Sequence, residues 1–233
     1  MLGNIHSIET MGLLDGPGIR VVIFMQGCPL RCLFCHNPET WNNDEQTLMS
    51  PGEVVDLILK YKNYFNETGG VTFSGGEPLL QAEFLLETLK LCKRYDIHTC
   101  LDTSGVGSNL SKEILSYTDL VIFDIKAIEE NSYFEMTGNH IDASLTFLNL
   151  CQKVKKKMWL RQVIVPTIND NKEYILKLKE FIKPLKNIEK IELLPYHLLG
   201  IDKYKKLNLS YRLNGIKAMS KSKCENLYSL LEK

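Results

Sequence analysis

Short apolar runs alternate along this chain with longer stretches of helical periodicity. Ile19–Gln26 is the first strand-like run. Ser50-Pro51-Gly52-Glu53 is a capping box with proline at the first helical position, which predicts a helix to about Phe65. Gly70–Phe73 predicts a second short strand, and Leu80–Tyr95 an amphipathic helix with Leu85, Leu86, Leu89 and Cys92 on one face. The alternation continues with strand His98–Asp102, helix Ser111–Tyr117, apolar strand Leu120–Ile125, and helices Asn131–Thr137 and Ala143–Lys155. Strand Trp159–Val165 ends at Pro166, helix Asn171–Lys183 at Pro184, and strand Lys190–Leu194 at Pro195. Asn214–Leu231 reads as a terminal helix.

Six strand–helix units in series predict an α/β fold with a parallel sheet. A closed barrel takes eight units and usually about 250 residues. With 233 residues, the expectation is a partial (βα)6 TIM-like barrel, open on one side, as a single domain over residues 1–233. An open α/β sandwich is the alternative.

Lysine plus arginine and aspartate plus glutamate both total 28, so the formal charge is zero and bulk electrostatic binding of nucleic acid is disfavoured. No apolar run approaches the ~20 residues of a membrane span. Met1–Thr10 lacks the regions of a signal peptide. The expectation is a soluble cytoplasmic protein. Seven cysteines, an odd number, then argue against disulfides. Cys92, Cys100, Cys151 and Cys224 lie among apolar neighbours and read as small buried hydrophobes.

Cys28, Cys32 and Cys35 are different. They form C-x3-C-x2-C directly after the first strand, and Gly27 and Pro29 make the stretch a loop able to turn three thiols inward. Three ligands are one short of a cubane iron–sulfur cluster, which would leave one iron free. Structural zinc wants four, often as paired short spacings, and no second C-x2-C exists. A cluster with an open iron is the better fit, and a zinc-stabilised binding module is the competitor.

Other polar features also follow strands, where parallel α/β folds gather functional groups. Ser74-Gly75-Gly76-Glu77-Pro78 follows the second strand, Asp102-Thr103-Ser104-Gly105 the third, Asp124 and Lys126 the fourth, and His197 the sixth. Arg161 lies inside the fifth, an apolar strand, and so wants an anionic partner. Asp15-Gly16-Pro17-Gly18 is a loop signal before the first strand.

The cysteine spacing resembles the signature of the radical S-adenosylmethionine superfamily. Asp15-Gly16-Pro17-Gly18-Ile19-Arg20, Gln26-Gly27-Cys28, Cys35-His36-Asn37-Pro38, Trp41, Ser74-Gly75-Gly76-Glu77, His98-Thr99-Cys100-Leu101-Asp102-Thr103 and Leu193-Leu194-Pro195-Tyr196-His197 narrow it. From about Ile5 to Gly200 the chain is similar to the activating enzymes of pyruvate formate-lyase. The resemblance implies a 4Fe–4S cluster on Cys28, Cys32 and Cys35, with S-adenosylmethionine on the open iron. An electron from reduced flavodoxin or ferredoxin would cleave the sulfonium to methionine and a 5′-deoxyadenosyl radical. That radical would take a hydrogen atom from a backbone glycine of pyruvate formate-lyase.

By the same resemblance Phe34 packs beside the adenine, and His36 and Asn37 line the adenosine pocket. Gly75, Gly76 and Glu77 bring backbone to the methionine amino group. Asp124, Ile125 and Lys126 lie on the methionine and ribose side, Arg161 faces the cofactor carboxylate, and His197 touches ribose or adenine. Asp102 with Thr103 binds a cation or orders the site, and Asp15 lies where the partner's glycine loop enters. The enzyme is expected to act as a monomer. Activases of other glycyl-radical enzymes are the alternative, but some carry an inserted ferredoxin-like segment, and no cysteine lies between Cys35 and Val71. The lysine-rich tail after His197 departs from the family's pattern.

Overall fold

The computed structural model describes residues 1–232. It opens with β1 (Gly3–Gly12), antiparallel to β2 (Arg20–Met25), and β3 (Thr47–Met49) pairs antiparallel with the far side of β1. After α1 (Pro51–Leu59) come β4 (Gly70–Gly75), α2 (Ala82–Arg94), β5 (His98–Thr103), α3 (Ser111–Ser116) and β6 (Leu120–Asp124). Then follow α4 (Glu130–Thr137), α5 (Asp142–Lys153), β7 (Lys157–Ile164), α6 (Lys172–Ile182), β8 (Ile188–Pro195), α7 (Ile201–Lys206) and α8 (Lys221–Glu232). The sheet order is β3-β1-β2-β4-β5-β6-β7-β8. From β2 onward all neighbours are parallel and stand in chain order. β3 and β8 do not meet, so the six expected parallel strands form an open partial barrel.

Alternation along each strand builds two layers. Val121 and Phe123 join the main core, while Leu120 and Ile122 pack with Cys100 and Trp159 in a small separate cluster. Being covered on both faces is why β6 reads as an unbroken apolar run as far as Asp124. The capping box at α1 is formed, with Ser50 Oγ accepting from Glu53 N–H and Glu53 Oε2 accepting from Ser50 N–H at 2.7 Å. Cys92, Cys100, Cys151 and Cys224 are free and buried, as expected, and burial pushes the first three thiols up to about 12.

The amino ends of the strands are tied by Arg20, which is fully buried without a carboxylate partner. Its guanidinium donates to Thr72 Oγ1 at 2.7 Å and to the carbonyls of Pro17, Val71 and His98 at 2.8, 2.6 and 3.2 Å. Burial lowers its pKa, and these acceptors are what keep the charge tolerable there. Removing it would orphan several buried carbonyls, at a cost on the order of 3 kcal/mol.

Five elements differ from expectation. β1 and β3 are additional strands; β1 is buried on one side only, and β3 is three largely exposed residues. α7 is an additional helix with Tyr204 as its only buried residue. The expected tail helix from Asn214 begins instead at Lys221, because Gly215 at φ +85° breaks the earlier stretch. The helix expected to reach Phe65 ends at Leu59, followed by a 3-10 turn at Lys62–Tyr64. Among the described residues no helix is long and apolar enough to cross a membrane.

Candidate active site

A solvent-open cavity of about 260 Å³ lies at the carboxyl ends of the parallel strands, just under the range typical for small-molecule sites. Fourteen of the sixteen expected site residues line it. The loop after β2 supplies Cys28, Cys32 and Cys35 with Phe34, His36 and Asn37. The turn at the end of β4 supplies Gly75, Gly76 and Glu77. β5 supplies Asp102, β6 and its exit Asp124 and Lys126, β7 Arg161, and the loop before β2 Asp15. Two residues do not line it. The Ile125 side chain is in the main core, since its β6 neighbours alternate faces. His197 sits behind His36, its ring stacked on the His36 ring at 3.8 Å.

Desolvation is the leading influence on all three thiols. Burial pushes Cys28 up to about 12 and Cys32 up to about 11, and raises Cys35. Lys126 opposes the shift at Cys32. At Cys35 the Asn37 backbone and the Trp41 side chain oppose it.

Glu77 is fixed by the protein itself. Its Oε1 accepts from Thr103 Oγ1 at 2.5 Å and Leu79 N–H at 3.2 Å, and its Oε2 from Ser104 N–H and Oγ at 2.9 and 2.6 Å. Burial raises its pKa, and those same bonds pull it back. The carboxylate thus braces the β4 turn against the end of β5. Gly76 and Glu77 N–H donate to the carbonyls of Met25 and Gly27, both at 2.8 Å. A Cβ on Gly76 would stand 2.1 Å from the Gly27 carbonyl oxygen. Glycine is needed here because the turn presses on the cysteine loop, which is a different reason from the expected approach to a ligand.

Opposite these groups is a charged set. Lys126 Nζ lies 2.6 Å from Asp124 Oδ2 and 5.6 Å from the Phe34 ring centroid. Burial disfavours its charge, but Asp124 and the Cys32 side outweigh that and raise its pKa. Arg161 has its anionic partner inside the protein: Nε is 2.7 Å from Glu192 Oε2 on β8, Asp15 is 4.0 Å away, and the guanidinium also donates to the Leu14 carbonyl. The anionic partner expected for a charge in this apolar strand is thus present on the neighbouring strand. His36 is neutral, burial and His197 lowering it to about 4. Burial raises Asp15, with Arg161 opposing. Asn37 Oδ1 accepts from Lys203 Nζ at 2.8 Å.

Asp102 is the most exceptional of the carboxylates. Oδ2 accepts from Ser74 Oγ at 2.6 Å, while Oδ1 is buried without a partner. Burial first, then the Asp124 charge, pushes its pKa up to about 7. The folded state therefore binds this proton more tightly than the unfolded chain does. Stability falls as pH rises from the unfolded value near 4 through about 7. Asp102→Asn lacks that slope. Denaturant unfolding of the cluster-free protein at pH 5 and pH 8 is expected to show the wild type losing a few kcal/mol (~3) more than the variant. Parallel losses would contradict the assignment.

An orphaned buried acceptor, three thiols and a cation around one cavity suit a cluster with a polar organic ligand beside it. Among the described residues no three His, Cys, Asp or Glu side chains close on one point tightly enough to hold a single ion. A tetrahedral zinc would need them within about 2.3 Å of one centre. Three thiols leave one corner of a cubane to another ligand, whereas structural zinc wants a fourth protein ligand.

Residues 22–181 match the family model of the Radical SAM superfamily. The chain is 52% identical over its whole length, and 98% of the relative's, to a pyruvate formate-lyase-activating enzyme from Clostridium pasteurianum. It is 45% identical to the enzyme of the same name from Staphylococcus epidermidis, over 92% of this chain and 89% of that one. The fold matches Streptococcus suis SuiB bound to S-adenosylmethionine with a TM-score of 0.67 at 18% identity, covering 95% of this chain and 48% of that one. With the thiol-lined cavity at the strand ends of an open barrel, these likenesses place the chain in the Radical SAM superfamily, within the family of pyruvate formate-lyase-activating enzymes.

Proposed function

We propose that this protein activates pyruvate formate-lyase by removing a hydrogen atom from one backbone glycine of that enzyme. The observation that carries the reading is the end-to-end similarity to the Clostridium pasteurianum activating enzyme. The three-thiol cavity supports it. Cys28, Cys32 and Cys35 would hold a 4Fe–4S cluster, and Asp102, Asp124 and Lys126 would help hold S-adenosylmethionine. Together the two groups supply a 5′-deoxyadenosyl radical when one electron enters.

The chain's own residues bind and shield. Asp102 Oδ1 is an acceptor for a ligand donor, and the neutral His36 and the Phe34 ring flank the cysteines without adding charge. Phe24, Leu30 and Leu194 supply apolar wall, which keeps water and reactive X–H bonds away from a carbon radical. Beside Asp15, Leu13 and Leu14 are 69% and 81% exposed, apolar surface suited to a protein substrate at the mouth. The stretch between Cys35 and Val71 is taken up by β3, α1 and 3-10 turns, which leaves no inserted cysteine-rich module and favours pyruvate formate-lyase over other glycyl-radical enzymes. Reduced flavodoxin or ferredoxin is the proposed donor. The enzyme works as a monomeric radical SAM domain over residues 1–233 in the cytoplasm.

The test is anaerobic incubation of reconstituted enzyme, reductant, S-adenosylmethionine and pyruvate formate-lyase. Expected are 5′-deoxyadenosine, methionine and a glycyl doublet by paramagnetic resonance. An intact, reduced cluster that leaves the cofactor uncleaved would overturn the reading.

A further inference from the structure

Residues 200–223 hold seven lysines and arginines against one anion, Asp202, in a chain whose total formal charge is zero. This segment covers the outer side of the cysteine loop. Tyr204 Oη donates to the Cys35 carbonyl at 3.0 Å, and the Arg212 guanidinium donates to the Arg31 carbonyl. Arg31, exposed, donates to the Cys28 carbonyl at 2.8 Å and lies 5.1 Å over the Trp41 ring. The Tyr204 ring meets Trp41 at 5.6 Å and Tyr211 at 4.8 Å. Neither Tyr204 nor Tyr211 lines the cavity.

Around this aromatic contact the surface is both cationic and apolar. Among the described residues Lys206 and Arg212 have no carboxylate within ion-pair distance, while Lys203 pairs with Glu39, Lys205 with Asp202 and Lys223 with Asp170. Leu199 is 83% exposed, and Leu207 and Leu209 are also exposed. Uncompensated cations interleaved with exposed leucines attract an acidic protein and then bury against it. The route inward is short, since Tyr204 is buried and bonded to the backbone of Cys35 itself.

We propose that this face is the docking site of an acidic one-electron carrier protein, of the flavodoxin or ferredoxin kind, with Tyr204 bridging carrier and cysteine loop. The proposal rests on the cluster assignment above. One electron leaves the reduced carrier, which is oxidised by one equivalent, and enters the cluster, which is reduced by one; no bond is made or broken. A carrier on this outer side leaves the cavity mouth free for the glycine loop.

The test uses the anaerobic holoenzyme, its Lys205→Glu/Lys206→Glu variant, and a Lys62→Glu/Lys93→Glu control. Flavodoxin and ferredoxin are the binding probes, by surface plasmon resonance at about 50 mM and 500 mM salt. At the lower salt the Lys205/Lys206 variant is expected to bind the carrier at least ~10-fold more weakly than wild type, and the gap is expected to narrow at the higher salt. Cluster reduction by that carrier should slow in step, while reduction by dithionite stays within about twofold. The control should match wild type. Unchanged carrier affinity, no binding of either carrier to wild type, or a loss confined to pyruvate formate-lyase binding would each overturn the proposal. Failure of the function itself would look different, as dithionite-reduced wild type that does not cleave S-adenosylmethionine.

Discussion

Cys32→Ala is expected to give a colourless protein with essentially no bound iron after anaerobic reconstitution and no detectable 5′-deoxyadenosine. The loss of turnover should exceed ~1000-fold, because two thiolates do not retain a cluster that already has one corner without protein. Cys32 is the innermost of the three sulfurs and the one that feels Lys126 most directly. Cys224→Ala is the matched control. That thiol is also buried, but it donates to the Leu193 carbonyl behind β8, so its loss should cost about 1 kcal/mol of stability and leave iron content unchanged. Iron and sulfide analysis with the visible spectrum reads both. A brown, active Cys32→Ala protein would remove the ligand assignment.

The second large effect is expected from one methyl group. In Gly76→Ala the new carbon would stand 2.1 Å from the Gly27 carbonyl oxygen and 3.2 Å from that of Met25. These are backbone atoms and cannot rotate away, so the β4 turn and the cysteine loop must part. The Glu77 brace to Thr103 and Ser104 resists that movement. The strain should fall on the junction, at about 3 kcal/mol. Affinity for S-adenosylmethionine should drop ~100-fold or more, with a parallel fall in cluster loading. Gly52→Ala, at the start of α1, meets only Ser50 Oγ at 4.0 Å and should leave both unchanged while stabilising slightly. Calorimetric titration of the cofactor against each holoenzyme checks this. A Gly76→Ala enzyme that binds the cofactor within twofold of wild type would show that the two loops move independently.

The parallel strands β2, β6 and β7 were legible because apolar residues dominate each of them, and burial on both faces writes that pattern strongly. The site was legible for a related reason. Polar residues directly after such runs had to gather at one rim, and Cys28, Gly75, Asp102, Asp124 and Lys126 did so. What escaped depends on pairing across the fold. Arg161 finds Glu192 because β7 and β8 set the two residues opposite each other in register. Nothing within the β7 sequence announces that. His197 reaches His36 across 161 positions of chain, and a lone histidine carries no sign of a stacking partner. Glu77 is held mainly by donors of Thr103 and Ser104 at the next strand's end, which its own neighbours in sequence do not announce. α7 carries one buried side chain, too few for a periodic stripe.

Sealing Cys92, Cys100, Cys151 and Cys224 inside the barrel wall leaves incoming iron and sulfide a single trio of thiols to find. A nascent cofactor has no competing sulfur to be trapped on, and oxidants that enter the open rim meet the same trio first. With a cluster on those three thiols, assembly and damage would both fall on this one loop.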